Sequence, residues 1–168
     1  MYDTKLYKQA IKHYLLARTL FKQLGVIYTA KSIVPQIGEW LVAQIYGSTI
    51  ERNPNNPDWD VLVNDQRFQV KTHAKSDTNT QQYTQIEYKA DANIDILIII
   101  VFSEDLKLKH FFEIPWQDII KDFPPQKKGY RLYWKRLSAY DKHTEVLQNN
   151  KVSDIFTIFY DKDHVKDQ

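Results

Sequence analysis

The chain has 168 residues, no cysteine and a formal net charge of only +2, with 43% hydrophobic residues. This length fits one domain and allows a core to form without disulfides or structural zinc. The lack of cysteine excludes a disulfide framework, a thiolate zinc site and a cysteine nucleophile, and it favours a reducing, cytoplasmic compartment. The four glycines form neither a GxGxxG nor a GxxxxGK pattern, which disfavours the common nucleotide-binding loops.

Neither a signal peptide nor a membrane span is expected from the apolar segments. The N-terminus leads into a mixed polar segment without an apolar signal core, so we expect no export. The longest apolar run, Ile94 to Phe102, is much shorter than the roughly 20 residues of a transmembrane helix and contains Asp95. We therefore predict a buried strand there and no membrane partner.

Two helices are predicted at the start of the chain. Apolar residues recur at intervals of three and four from Thr4 to Leu24, which predicts a helix with one buried face, ended by Gly25. After a short connection, Ser32 and Pro35 prepare a second helix, at about 36–46, that stops at Gly47.

The middle of the chain is predicted to be rich in strands. Turn formers at 53–58 precede short strands at 60–63 and 67–72, which a tight turn around Asn64 to Gln66 connects. A polar loop at 78–82 leads to a strand at 83–88. The run 94–102 is apolar on both faces, so it should lie inside the sheet.

The remaining predicted elements complete a single domain. They are a strand near 110–114, a short helix at 116–122 ending before Pro124, strands at 130–134 and 154–160, and a polar, helical stretch at 144–150. The order predicts an α/β (α+β) fold with a central mixed β-sheet flanked by helices. Within 1–168 we distinguish an N-terminal helix (1–25), a core (36–122) and a β-rich C-terminal extension (123–168).

Polar residues on the predicted hairpin form a candidate site. Because side chains alternate along a strand, Gln69 and Lys71 point to one side, opposite to Phe68 and Val70. If Asp65 and Gln66 are the two loop residues, Asp60 faces Lys71, and Leu62 faces Gln69. A one-residue change in the turn would bring Asp60 opposite Val70, so this register is an assumption.

These residues resemble the motif of the PD-(D/E)XK nucleases, the restriction-endonuclease-like superfamily. The likeness consists of Pro57-Asp58 or Asp60 as the acidic element, Gln69-Val70-Lys71 as the (D/E)XK element, and Gly38-Glu39 on the preceding helix. It covers residues 36–122, about half of the chain, in an order similar to the family's α-β-β-β-α-β core.

The resemblance implies a role for each of these residues. Asp60 would be the principal metal ligand, with Asp58 as the weaker alternative, and Gln69 the second ligand from a strand. Lys71 would position or activate the attacking water, and Glu39 would be the helical acid. Gln69 departs from the family's usual Asp or Glu; its amide oxygen can still bind a hard cation, but supplies less charge. The implied cofactor is Mg²⁺, with Mn²⁺ as a possible substitute.

Each residue also has an ordinary structural explanation. Asp58 and Asp60 follow a run of turn formers in which aspartate is common, and a lysine on an exposed strand is usually a solvated charge. Glu39 could be an exposed residue in the first turn of its helix. His73 would lie opposite Asp58 in the assumed register, as a flanking residue and not a ligand.

A basic and aromatic segment is the second candidate feature. Between Lys127 and Lys142 the chain has six basic residues and one acid. Nucleic-acid contacts are predicted for Lys127, Lys128, Arg131, Lys135 and Arg136, with Tyr130, Tyr133 and Trp134 available for stacking. The alternative is an amphipathic edge strand with Tyr130, Leu132 and Trp134 inside and Arg131, Tyr133 and Lys135 in water. Thr72 and Lys75 are further candidate phosphate contacts.

Taken together, the sequence predicts an Mg²⁺-dependent endonuclease that hydrolyses DNA phosphodiester bonds. Since one site cuts one strand, duplex cleavage calls for a homodimer, through the N-terminal helix or the C-terminal third. One alternative is a nucleic-acid-binding module on the same fold without catalysis. The other is a structural or partner-binding protein in which the Gln69 to Lys71 motif is coincidental.

Overall fold

A computed structural model describes residues 4–29, 32–50, 58–74, 82–87 and 90–157, with side chains as far as residue 155. Its strands are β1 (Thr49–Ile50), β2 (Val61–Val63), β3 (Gln66–His73), β4 (Tyr83–Ile86), β5 (Ile96–Phe102), β6 (Leu108–Pro115) and β7 (Tyr130–Tyr133). Its α-helices are α1 (Thr4–Gln23), α2 (Ile33–Tyr46), α3 (Trp116–Asp122), α4 (His143–Leu147) and α5 (Ser153–Thr157). Two 3₁₀ turns, Trp134–Arg136 and Ser138–Tyr140, follow β7. The turn predicted at 53–57 and the loop predicted at 78–81 lie outside the described residues.

The central sheet is mixed, as predicted, and has helices on both faces. Its strand order is β1-β2-β3-β5-β6, in which β3 and β5 run parallel and the other neighbours antiparallel. Strand β5 lies inside the sheet, which confirms the prediction from its apolar sequence. Strands β4 and β7 form a separate antiparallel pair.

The hairpin between β2 and β3 has a different register from the predicted one. Asn64 and Asp65 form the turn, with φ angles of 47° and 66°, and Leu62 pairs with Arg67. The prediction that placed Leu62 opposite Gln69, and Asp60 opposite Lys71, is therefore wrong. Asparagine and aspartate tolerate left-handed conformations, and a two-residue turn with both φ values positive matches the twist of the strands.

Two hydrophobic clusters lie on opposite faces of the sheet. On one face α2 packs through Leu41 and Val42 on a cluster that includes Phe68, Val70 and Ile98. On the other face β4, β7 and α3 cover a cluster that includes Leu97, Ile99, Ile86, Leu132 and Trp116. Side chains that alternate with Phe68 and Val70 along β3 therefore point towards the face covered by β4 and β7.

Helix α2 approaches β3 closely at a glycine. A methyl group on Gly38 would overlap the Oγ1 atom of Thr72, which is buried. The helix begins three residues before the predicted start, at Ile33, and ends at Gly47, whose φ of 67° is left-handed. Glu39 therefore lies beyond the first turn and is buried, instead of exposed in the first turn.

Three predictions about the ends of the chain are wrong. None of the described residues of α1 is buried, although its apolar spacing predicted one buried face. Residues Ser153–Thr157 form a helix and not a strand, because Val152 and Ile155, three residues apart, pack on the same core cluster. From residue 123 to 157 the chain has one four-residue strand among short helices and turns, so this part is not β-rich.

An Arg67–Asp95 ion pair joins the start of β3 to the segment before β5. The guanidinium of Arg67 donates to both carboxylate oxygens, at 2.7 and 2.8 Å, and its backbone N–H donates to Oδ2 at 2.8 Å. The hydrogen bond from the Arg67 side chain lowers the pKa of Asp95 despite partial burial.

Among the described helices, none is both long enough and apolar enough to cross a bilayer.

The contact between Gly38 and Thr72 gives a stability prediction. Gly38→Ala should lower the free energy of unfolding by about 1–3 kcal/mol, because the added methyl group overpacks the α2–β3 contact. Replacing glycine by alanine inside a helix normally raises the free energy of unfolding by about 1 kcal/mol. A decrease would therefore indicate the close contact between α2 and β3.

The measurement is urea unfolding of the wild type, Gly38→Ala, Thr72→Ala and the double variant. We expect Thr72→Ala to compensate for most of the loss in the double variant, because it removes the overlapping hydroxyl. A more stable Gly38→Ala chain would contradict the close packing of α2 on β3.

Candidate functional site

Asp60 and Gln69 lie side by side at the point where β2 begins. The backbone N–H of Asp60 donates to the Phe68 carbonyl at 2.8 Å. Oδ2 of Asp60 accepts the backbone N–H of Val70 at 2.8 Å and a short hydrogen bond from Nε2 of Gln69. The carboxylate of Asp60 thus takes the place of a β2 acceptor for the Val70 N–H and lies beside Gln69, whereas the sequence analysis placed Asp60 opposite Lys71.

Lys71 follows Gln69 on the same face of β3 and is half-buried. Its positive charge lies close enough to His73, the next residue on that face, to lower the pKa of the imidazole, although burial of the ring is the larger cause. Gln69, Lys71 and His73 therefore form a row along β3, with Asp60 at its start.

His73 connects this row to the smaller sheet. The indole Nε1–H of Trp134 donates to Oγ1 of Thr84 at 2.9 Å, and Oγ1 lies 2.8 Å from Nε2 of His73. Since the indole can only donate, the Thr84 hydroxyl proton is available to a neutral imidazole. The lowered pKa of His73 favours the neutral ring.

Glu39 is held on the opposite face of the sheet by residues that the sequence analysis did not single out. The hydroxyl of Tyr28 donates a short hydrogen bond to Oε2 of Glu39. Gln36, which is buried, fixes the segment before α2 by accepting the N–H groups of Tyr28 and Thr29, at 2.9 and 3.0 Å. The sequence signal that could have identified this arrangement is Gln36, a polar residue on the buried side of α2.

Helix α2 packs close to the part of β3 that lies beyond its pairing with β2. Within the described part of the chain, β2 pairs with β3 only as far as Phe68. Helix α2 is pressed onto β3 at Gly38, directly before Glu39, and Thr72 lies directly after Lys71. The two faces of the sheet are therefore separated there only by β3 itself, with Asp60 beside it.

Two other candidates are placed apart from this row, and a third lies outside the described residues. Oδ2 of Asp58 accepts the backbone N–H of Asn93 at 3.1 Å, so Asp58 holds the turn before β5. Oγ1 of Thr72 is buried beneath Gly38 and points away from Lys71. Lys75 lies outside the described residues.

The basic segment follows the edge-strand interpretation along β7, and nucleic-acid contacts stay a prediction. Along β7 the side chains alternate as the edge-strand interpretation predicts, with Tyr130 and Leu132 buried and Arg131 and Tyr133 exposed. The basic residues are nevertheless all in water: Lys127, Lys128, Arg131, Lys135 and Arg136.

An aromatic and basic cluster forms the outer side of the small sheet. The Arg131 guanidinium lies 4.7 Å from the centre of the Tyr83 ring, which meets the Tyr133 ring edge-on at 5.7 Å. A cation over an aromatic face is an attractive arrangement. We call Tyr83, Arg131 and Tyr133 the β4–β7 platform.

A cavity of about 270 Å³ adjoins the other end of β7, with Trp134, Lys135, His110, Phe112 and Asp141 in its wall. Nδ1 of His110 and Oδ2 of Asp141 are 2.7 Å apart, and the imidazole stacks on Phe112. Trp134 also contacts Thr84, so the cavity lies on the same side of the sheet as Lys71.

The donor set at Asp60 suits a cation that retains most of its waters. Asp60 and Gln69 offer a carboxylate and an amide oxygen, and Mg²⁺ usually needs only one or two carboxylates besides water and phosphate. Across the residues that the structure describes, no group of three His, Asp or Glu side chains could hold a metal ion. The fit therefore depends on the amide of Gln69, whose oxygen and nitrogen are interchangeable by rotation.

Comparison with known proteins assigns no family to this chain. No protein-family model matches it, and a search of curated proteins finds no significant match.

The row on β3 gives a prediction about His73. Lys71→Met should raise the pKa of His73, because it removes the nearby positive charge, but the pKa should stay below the ordinary value of about 6.5 because the ring remains buried. NMR titration of the imidazole protons measures this, with Lys109→Met, an exposed lysine on β6, as the control. An unchanged His73 pKa in Lys71→Met would contradict the placement of Lys71 beside His73.

The same group contributes to stability against pH. Because the folded pKa of His73 lies below the unfolded value, the unfolded chain binds more protons as the pH falls below about 6.5. The contribution of His73 to stability is therefore present above that pH and is lost on acidification.

Proposed function

We propose that this chain is an Mg²⁺-dependent endonuclease that hydrolyses DNA phosphodiester bonds on a restriction-endonuclease-like core. The observation that carries the proposal is the contact between Asp60 and Gln69, with Lys71 next on the same face. It brings together an acidic residue and a QXK motif that are nine residues apart in sequence. The mixed sheet with α2 across one face supports this proposal.

Each residue has a role in this proposal. Asp60 and Gln69 hold the cation, Glu39 adds a carboxylate from α2, and Asp58 serves only to hold its turn. A bound Mg²⁺ supplies a nucleophile at neutral pH and stabilises charge on the phosphoryl oxygens. Lys71 orients the attacking water or a phosphate oxygen through its ammonium group. Neutral His73 keeps a second positive charge away from Lys71.

The DNA backbone is proposed to lie along the side of the sheet that carries the β4–β7 platform. The platform and the exposed lysines and arginines of 127–136 offer phosphate contacts and rings for stacking. His73 and Trp134 meet at Thr84, which joins the row on β3 to the inner side of the small sheet that carries the platform. The protein would act inside the cell, and cutting both strands requires a homodimer.

A nucleic-acid-binding module without catalysis is the second candidate function. The observation that favours it is the amide of Gln69, which as placed donates Nε2 to Asp60 and brings no charge. A site with fewer charges binds Mg²⁺ more weakly, whereas the basic surface would be unaffected.

Cleavage of supercoiled plasmid tests the proposed function. We expect nicking with Mg²⁺ or Mn²⁺ and none with EDTA. Lys71→Ala should lower the rate at least about 100-fold, since it removes a charge aimed at the reacting group. Lys109→Ala is the matched control, because it removes an exposed lysine two strands away and should cut at the wild-type rate.

The outcome separates the two candidates. Salt-sensitive DNA binding that is equal in the wild type and Lys71→Ala, without cleavage of any nucleic acid, would reject the enzyme in favour of the binding module. If the chain shows no cleavage and no salt-sensitive binding, both candidate functions are rejected, and the Gln69 to Lys71 motif is coincidental.

A further inference from the structure

Helix α1 exposes a larger apolar surface than a soluble monomer normally does. The helix has 20 residues and buries none of them. Leu6, Tyr7, Ile11, Tyr14 and Leu20, together with Leu24 directly after the helix, are between 41% and 67% exposed. At roughly 100 Å² each, these side chains alone expose on the order of 600–700 Å², at or above the largest patch of a typical monomer. The amount approaches the roughly 800 Å² per partner of a standard interface.

Within this surface a strict seven-residue pattern runs along the helix. Apolar residues alternate at spacings of three and four, the repeat of a helix that packs lengthwise against another helix: Tyr7, Ala10, Tyr14, Ala17, Phe21 and Leu24. Large and small side chains also alternate in this row, from Tyr7 to Phe21. We call these six residues the α1 seam.

The alternation of sizes is self-complementary when two copies of α1 run antiparallel. If the two-fold axis lies between Leu15 and Leu16, Tyr14 of one copy faces Ala17 of the other. In the same register Phe21 faces Ala10, and Tyr7 faces Leu24. Each ring then packs on a small or aliphatic side chain. A parallel pair would instead stack tyrosine on tyrosine and alanine on alanine, which leaves layers of unequal width.

We propose that the occupant of this surface is a second copy of the same chain, joined through an antiparallel, two-fold pairing of the α1 seams. A two-fold interface uses the same patch on both copies, which is what the seam provides. The pairing is inferred from α1 alone; its use for cutting both strands of a duplex rests on the proposed function.

The charges of α1 distinguish this partner from others. The helix carries five lysines and arginines and no acid, and Lys5, Lys8, Lys12 and Lys22 lie on the side away from the seam. Two paired helices therefore repel one another through exposed charges, which salt screens. The dimer becomes tighter as salt rises, whereas attachment of a basic helix to DNA or an anionic membrane becomes weaker.

The first test measures mass in solution by analytical ultracentrifugation at 0.1 M and 1 M salt. We expect a dimer whose dissociation constant is at least about 10-fold lower at 1 M than at 0.1 M salt. Ala17→Glu places a carboxylate in the seam and should give a monomer. Leu16→Glu is the matched control: it adds the same side chain to the same helix, outside the seam, and should stay dimeric.

The second test determines the direction of the pairing by disulfide cross-linking. Because the chain has no cysteine, the introduced cysteines are the only thiols that can react. A chain with Tyr14→Cys is mixed with a chain with Ala17→Cys and then oxidised. Antiparallel seams cross-link unlike chains, because residues 14 and 17 face each other, whereas parallel seams cross-link like chains.

Several results would overturn the proposal. They are a monomer at every salt concentration, a dimer unchanged by Ala17→Glu, cross-links mainly between like chains, or a monomer that binds phosphatidylserine vesicles through α1. These four results concern the dimer and not the nuclease proposal. The two can fail separately: an Ala17→Glu monomer with an intact β3 site should still nick single strands, whereas a wild-type dimer that does not nick DNA would reject the proposed function.

Discussion

The candidate site depends on the hydrogen bond from the backbone N–H of Val70 to the carboxylate of Asp60. Strand β2 starts at Val61, so Val70, which is buried, has no β2 residue to accept its N–H. A buried donor without a partner costs about 1–3 kcal/mol, so the position strongly favours a side chain that can accept. Asp60 satisfies this need and is thereby fixed beside Gln69. Asp60 therefore both ends the hydrogen-bond ladder between β2 and β3 and supplies the carboxylate of the candidate site.

A second constraint comes from the opposite face of the sheet. Gly38 allows the backbone of α2 to approach β3 at Thr72 more closely than any other residue would. Tyr28 and Gln36 then hold Glu39 and the segment before the helix by hydrogen bonds. Acidic groups from a helix and from a hairpin are thus supported independently on the two sides of one strand. That Glu39 and Asp60 act together remains part of the proposed function.

Much of the fold could be predicted from sequence because local signals agreed with the final packing. The helix at 116–122 matches its predicted bounds, since Trp116 and Ile119 bury one side and the following residues cannot continue it. The hairpin register could not be predicted, because it depends on Asn64 and Asp65 both adopting positive φ values. Periodicity identified α1 but contains no information on what covers its apolar face. The segment 153–157 was misjudged because short apolar spacings suit a strand and a single helical turn equally.

The site shows the same division between local and tertiary information. The spacing of Gln69 and Lys71 placed them on one face of β3, but the register that put Asp60 opposite Lys71 was wrong, and Asp60 lies beside Gln69. The contacts of Tyr28 with Glu39, and of Thr84 with His73 and Trp134, could not be predicted from the sequence, because they form only when distant elements pack.

The most direct test of the account is NMR with trace Mn²⁺, whose unpaired electrons broaden signals of nearby protons. The account predicts selective broadening of the Val70 backbone amide and the Gln69 side-chain amide. The Asn149 side-chain amide should stay sharp, and Asp60→Asn should abolish the effect. Broadening that misses Val70 and Gln69, or that persists unchanged in Asp60→Asn, would contradict a metal site on β3.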